Sequence, residues 1–192
     1  MTDRRRVFIG TFLAAPDQER LGRLRECEAQ LTEQWQCKLR FVRPEKLHLT
    51  WFFIGSVSSA EIEEIRTICA EEARHHGPMQ MQFATPTFWP RARGARMLVL
   101  QPETVPQPVM QLATALKSRC RKWAEHEDKR YRPHITLMRF DGVGGKQRLE
   151  LPEFFPLADS LPVSLDIQMI SLIESHLGTG GAYEALENFP LI

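Results

Sequence analysis

Short runs in which apolar and polar residues alternate are separated along this chain by longer stretches whose apolar positions recur every third or fourth residue. The first pattern has the period of a strand with one buried face, the second that of an amphipathic helix. Strands are predicted at Arg6-Val7-Phe8-Ile9-Gly10, Leu39-Arg40-Phe41-Val42, His48 to Gly55, Met79 to Thr87, Met97-Leu98-Val99-Leu100, Ile135 to Phe140 and Val163 to Leu177. After a turn at Gly178-Thr179-Gly180-Gly181, Ala182 to Phe189 returns and closes a terminal hairpin. Leu21, Leu24, Cys27 or Glu28, Leu31 and Trp35 predict one helix opened by Pro16-Asp17 and running to about Trp35. Ser58-Ser59-Ala60-Glu61 is a capping box; it starts a second helix that turns Ile62, Ile65, Cys69 and Ala73 inward and stops at Gly77-Pro78. Val109, Leu112, Leu116, Cys120 and Trp123 predict a third, from Pro106 to about Glu125. Asp141 to Leu161 is a polar, proline-rich connector.

Hairpins outnumber regular strand–helix alternation, which argues for an α+β fold with antiparallel sheets. No long linker or low-complexity segment interrupts the 192 residues, so residues 1–192 read as one folding unit. A chain of this size buries roughly 70% of its unfolded surface. Hydrophobic content of 43% with 26% charged residues excludes a disordered chain. The net charge of +1 excludes a bulk polyanion binder, so any nucleic-acid affinity has to come from local basic clusters. Cys27, Cys37, Cys69 and Cys120 form no C-x-x-C pair and read as reduced thiols of a cytoplasmic protein. Arg4-Arg5-Arg6 followed by Val7 to Ala15 imitates a signal peptide, but no small-x-small site follows and the run is too short to span a membrane. A buried first strand, a monomer and no membrane contact are expected. His75-His76 falls in the last turn of the second helix, where imidazolium complements the helix dipole, and reads as a solvated end rather than a metal site.

One short pattern occurs twice. His48-Leu49-Thr50 and His134-Ile135-Thr136 each place His, one apolar residue and Thr in a strand that follows a basic, proline-containing loop; 86 positions separate both the histidines and the threonines. In a strand, His and Thr two apart share a face roughly 6–7 Å apart at the backbone. Two such strands facing each other would set an imidazole on either side of a phosphorus atom and aim two hydroxyls at its free oxygens. In-line displacement needs that layout, with one proton-transfer group for the attacking oxygen and another for the leaving oxygen. Taken singly, each histidine reads as structural and each threonine as an ordinary β-former; the duplication favours the chemical reading. Arg139 lies five positions after His134, so strict alternation sends it to the opposite face, and only a bend at the strand end returns it.

The paired His-x-Thr strands resemble the two-histidine phosphoesterase superfamily, and the wider frame is similar to its bacterial branch, the RNA 2′,3′-cyclic phosphodiesterases also called 2′-5′ RNA ligases. The likeness is carried by Arg6 to Gly10, Arg43 to Gly55, Phe88-Trp89-Pro90-Arg91, Arg132 to Arg139, Ser175-His176-Leu177 and Tyr183 to Leu186. It implies a two-lobed, LigT-like fold: two small antiparallel sheets with helices outside, the cleft between the lobes, and internal pseudo-two-fold symmetry. It also implies hydrolysis of a terminal 2′,3′-cyclic phosphate of an RNA or nucleotide to a 2′-phosphomonoester, with reversible 2′-5′ joining as the reverse reaction. His48 and His134 are then the catalytic pair, with the division into acid and base left open. Thr50, Thr136 and, by resemblance only, Arg139 are the phosphate ligands. Members often carry a basic residue four places after the first histidine; Phe52 stands there, so that contact is lost. Arg91, Arg93, Arg130, Tyr131 and Arg132 are the candidate RNA contacts flanking the cleft, and Lys129 belongs to the same basic loop.

The rival chemistry is a metal site. Each His-x-Thr supplies one ligand per strand, and no His-x-His, His-x-Asp or Asp-x-Asp motif accompanies it, so neither metal nor other cofactor is expected. A P-loop, G-x-G-x-x-G and G-x-S-x-G are also missing from the sequence, which disfavours ATP-driven joining and serine hydrolysis. A module that binds RNA or nucleotide in the same cleft without turnover is the alternative, and the intact histidines and threonines favour the enzyme.

Overall fold

The computed structural model describes residues 4–124, 130–143, 147–153, 155–176 and 181–192. The first strand, β1 (Arg5–Phe12), is buried over most of its length because neighbours flank both its edges. Thr11, buried within it, donates to the Met169 carbonyl at 2.8 Å and accepts from Trp51 Nε1 at 2.8 Å, so neither polar side chain is stranded.

The helix expected from Pro16 to Trp35 winds in three pieces: α1 (Ala15–Gly22), a 3-10 turn at Arg23–Cys27, and α2 (Glu28–Trp35). Leu21, Leu24, Leu31 and Trp35 are nonetheless all buried, so the apolar stripe survives the change of winding. The break follows Gly22, which lies so close to the Pro44 ring that a Cβ there would meet Pro44 Cγ at 2.7 Å. Next come β2 (Lys38–Phe41), a 3-10 turn at Pro44–Lys46, β3 (His48–Val57) and α3 (Ser59–His75). The capping box is formed: Ser58 N–H donates to Glu61 Oε2 at 2.7 Å and the Ser58 hydroxyl accepts from Glu61 N–H.

Two strands read as continuous are each divided between sheets. Met79 to Thr87 separates at Ala84 into β4 (Met79–Phe83) and β5 (Thr85–Trp89). Between them and the end of the chain lie β6 (Met97–Gln101), α4 (Gln107–Cys120) and β7 (Ile135–Asp141). The second divided strand breaks at Gln168, giving β8 (Val163–Ile167) and β9 (Met169–Ser175), and β10 (Tyr183–Pro190) completes the hairpin. β4 and β8 pair with each other in a sheet of two, while β5 and β9 join the large sheet. Alternation runs unbroken through both junctions, because a strand that changes partner keeps its period. Gly178, Thr179 and Gly180 of the expected terminal turn and part of the connector lie outside the described residues.

Among the described residues the large sheet has eight antiparallel strands, and its two halves meet at a single pair. β10-β9-β1-β3 forms one half and β7-β6-β5, with β2 on the other edge of β7, forms the second; Leu49↔Ile135 is the one register pair between β3 and β7. The expected α+β arrangement of antiparallel strands in two lobes is therefore present. Helices lie against the outside: α3 packs on β9, β10 and α4, while Trp35 of α2 meets Phe88 and Phe140 edge-on at 5.7 and 5.5 Å. Leu49, Trp51, Ile135 and Leu137 point into this apolar side, which leaves the alternate residues of β3 and β7 for the cleft. No helix among the described residues is long and apolar enough to cross a membrane.

Candidate active site

A cavity of about 720 Å³ opens where the halves part, and His48, Thr50, His134, Thr136 and Arg139 all line it. Arg139 gets there by a β-bulge. On β6, Val99 pairs with Thr136 but its neighbour Leu98 pairs with Met138, so β7 carries an extra residue, Leu137. That residue resets the alternation, and Arg139, opposite Met97, returns to the face of Thr136. β3 does the same: Gly10 pairs with Thr50 and Ile9 with Phe52, skipping Trp51. His48, Thr50 and Phe53 then stand opposite Phe12, Gly10 and Phe8 on one face. The two walls thus share an i, i+2, i+5 pattern, and the counterpart of Arg139 is Phe53 rather than Phe52. Arg6 lies 4.8 Å from the centre of the Phe53 ring.

Both histidines are anchored alike. His48 Nδ1 is 2.6 Å from the Lys46 carbonyl and His134 Nδ1 is 2.8 Å from that of Arg132, in each case the residue two before. A carbonyl oxygen only accepts, so Nδ1 carries the proton and Nε2 is the basic nitrogen of each neutral ring. Phe8 and Tyr183 surround the His48 ring, with centroids at 4.9 and 5.3 Å, and Trp89 lies 4.2 Å from that of His134. These walls desolvate the imidazoles. Burial pushes His48 from 6.5 down to about 4; the Lys46 carbonyl opposes the shift, and His134 and Arg139 add to it. His134 is also lowered, by burial first and then by Arg132 and Arg139, against the pull of the Arg132 carbonyl. Without a ligand, both rings are neutral at pH 7. A phosphate anion in the cleft reverses part of that balance, because its charge favours an imidazolium beside it.

The expected RNA contacts are not in this cavity. Tyr131 belongs to the core: its ring stacks on Trp51 at 6.2 Å, and burial raises the pKa of a hydroxyl that has no hydrogen-bond partner among the described residues. Arg132 lies over Trp89 at 4.6 Å and serves the site through its carbonyl. Arg91 donates to the Arg93 carbonyl at 3.4 Å, Arg93 bridges to Arg148, and Arg130 is exposed. Lys129 lies outside the described residues. The cations that do line the cleft besides Arg139 are Arg25, Arg40, Arg43 and Lys46. Arg43 and Lys46 were visible as the basic loop before the first motif; Arg25 and Arg40 sit in elements with no motif of their own.

Neither cleft histidine joins, among the described residues, a cluster able to share a metal ion. Among the described residues, such a cluster is formed by Glu174, His176 and Glu184 on the β9–β10 hairpin, where Arg5 Nε already donates to Glu174 at 2.9 Å.

With this geometry established, comparison with known proteins is decisive for the family. The model of the 2′-5′ RNA ligase superfamily matches residues 14–178. The chain belongs to this superfamily. A protein of Methanothermobacter thermautotrophicus named RNA 2′,3′-cyclic phosphodiesterase is 27% identical over 156 residues, covering 80% of this chain and 83% of that protein. A Bacillus subtilis protein of the same name is 27% identical over 154 residues, covering 79% and 80%. Among solved structures, Escherichia coli LigT complexed with 3′-AMP superimposes with a TM-score of 0.75 at 21% identity, over 98% of this chain and 99% of that one. The Thermus thermophilus protein TT0787 gives 0.74 at 23% identity, with 97% of each chain covered. The superfamily fold therefore extends over nearly the whole chain.

Proposed function

We propose that this protein is an RNA 2′,3′-cyclic phosphodiesterase, a single bilobal unit that opens a terminal cyclic phosphate to a 2′-phosphomonoester without a metal ion. The observation that supports this reading best is the matched pair of walls, each with a His whose Nδ1 is tied to a carbonyl and a Thr on the same face. In the reaction, one Nε2 takes a proton from water as its oxygen attacks phosphorus. The bond from phosphorus to the ribose 3′-oxygen breaks, and the other ring, protonated, delivers its proton to that oxygen. The Thr50 and Thr136 hydroxyls and the Arg139 guanidinium hold the free phosphoryl oxygens as charge builds there. With a 5′-hydroxyl in place of water, the same steps join two RNA ends through a 2′-5′ linkage, and run backwards they cleave that linkage to the cyclic phosphate and the 5′-hydroxyl.

The reading is tested by turnover of a 2′,3′-cyclic nucleotide. His48→Ala and His134→Ala are each expected to lower kcat by on the order of 10²–10⁴, the usual contribution of one general acid or base. Thr50→Val and Thr136→Val should cost less, roughly tenfold to a hundredfold, since each deletes one hydrogen bond to a charged oxygen. Near-normal turnover by either histidine variant, with circular dichroism unchanged, would overturn the paired mechanism. Wild type that binds the nucleotide without turning it over would establish the non-catalytic module instead.

A further inference from the structure

The cavity does not end at the reacting pair. Its lining continues from Arg139 onto β2 and the residues after it, and reaches Arg25 on the 3-10 turn between α1 and α2. Among the described residues, charge along the lining is one-sided: Arg25, Arg40, Arg43, Lys46 and Arg139 face a single carboxylate, Glu28. That concentration contrasts with a net charge of only +1 for the whole chain.

The register of β2 on β7 makes the one-sidedness sharper. Arg40 pairs directly with Arg139, so two guanidinium groups stand side by side on one face of the sheet. Like charges directly opposite each other destabilise an antiparallel pair. Arg40 is held by Asp141, with contacts of 2.7 Å to each carboxylate oxygen, and Arg25 lies 3.8 Å from Glu28. Arg139 and Arg43 have no carboxylate partner among the described residues. Blunting of the β2 edge by charge would explain one arginine there. It does not explain why the unpaired ones converge on the cavity that holds the histidines.

We infer that the β2 side of the cleft is a second phosphate subsite, built by Arg43 and Arg40 with Arg25 at the rim, which takes the phosphodiester on the 5′ side of the terminal nucleotide. The substrate class is then single-stranded RNA ending in the cyclic phosphate, and a mononucleotide fills only the reacting half. This rests on the cyclic-phosphodiesterase reading of the histidines.

Two measurements separate the subsite from that reading. The first is fluorescence anisotropy of a 5′-labelled tetraribonucleotide ending in a 2′-phosphate, which requires no turnover. Arg43→Gln and Arg40→Gln, both at exposed positions, should each weaken binding about tenfold and shallow the salt dependence by ~0.7 in log–log slope, as for one lost single-strand phosphate contact. The second is kcat/KM on the tetraribonucleotide cyclic phosphate against the cyclic mononucleotide. Wild type should prefer the tetramer, and both variants should lose most of that preference, with a loss of less than threefold on the mononucleotide. Equal losses on both substrates would place these arginines at the reacting phosphate and overturn the inference. Unchanged binding and preference would reduce them to edge charge and overturn it equally. If wild type turns over neither substrate, the catalytic reading has failed, and the anisotropy result alone decides the subsite.

Discussion

Each cleft histidine holds its imidazole where burial and the nearby arginines act together against a positive charge. Because their folded pKa values lie below the unfolded value of 6.5, both states bind no proton at these rings above that pH, and the rings cost nothing there. As pH falls through 6.5 the unfolded chain takes up protons that the folded chain refuses, so stability is lost until His48 titrates at about 4. His48→Gln should therefore lose less stability than wild type between pH 7 and pH 4.5, by on the order of 1–3 kcal/mol. Urea unfolding at the two pH values checks this, and identical losses in the two proteins would contradict it. The histidines and threonines could be read from the sequence because a spacing of two fixes a shared face locally. Tyr131 reads from the sequence as either an RNA contact or core, with core favoured for any single aromatic, and its partner in the core, Trp51, is distant in sequence.

Among elements, the bulges decide most. Neither Leu137 nor Trp51 carries any mark of an extra residue in its own strand; each bulge exists only relative to the neighbouring strand. Strict alternation thus sent Arg139 to the wrong side, and the resemblance singled out Phe52, four places after His48, whereas Phe53 lines the cleft. The divided strands were illegible for a similar reason, since a change of partner at Ala84 or Gln168 leaves the period intact. The broken first helix has a local cause in Gly22, and that contact couples α1 to the site. Pro44 opens the turn whose Lys46 carbonyl orients His48. In an ordinary helix Gly→Ala adds roughly 0.5–1 kcal/mol. Here the new methyl collides with a proline ring, so Gly22→Ala should instead destabilise by about 1–3 kcal/mol, the usual cost of overpacking. It should also slow turnover through the displaced turn. A variant more stable than wild type with normal turnover would show that the turn yields freely.

For the molecule as a whole, function follows from how two half-sheets meet. β3 and β7 share one register pair and then diverge, so the residues that would have continued the ladder instead face a common cavity. The α+β class was legible from hydrophobic period and the paired walls from the repeated motif, whereas the two lobes with helices outside were legible only through the family resemblance. The arginine extension was not, because Arg25, Arg40 and Arg43 come from separate elements and converge only when β2 pairs with β7. In this account, positive charge for the reaction comes from imidazolium and guanidinium, and proton transfer from two rings. The most direct test is the rate of opening of a 2′,3′-cyclic phosphate RNA end in excess EDTA, for wild type beside His48→Ala and His134→Ala. The account predicts an undiminished wild-type rate, a 2′-phosphomonoester product, and losses of on the order of 10²–10⁴ in both variants. Loss of wild-type activity in EDTA, restored by zinc or manganese, or a normal rate in either variant, would contradict it.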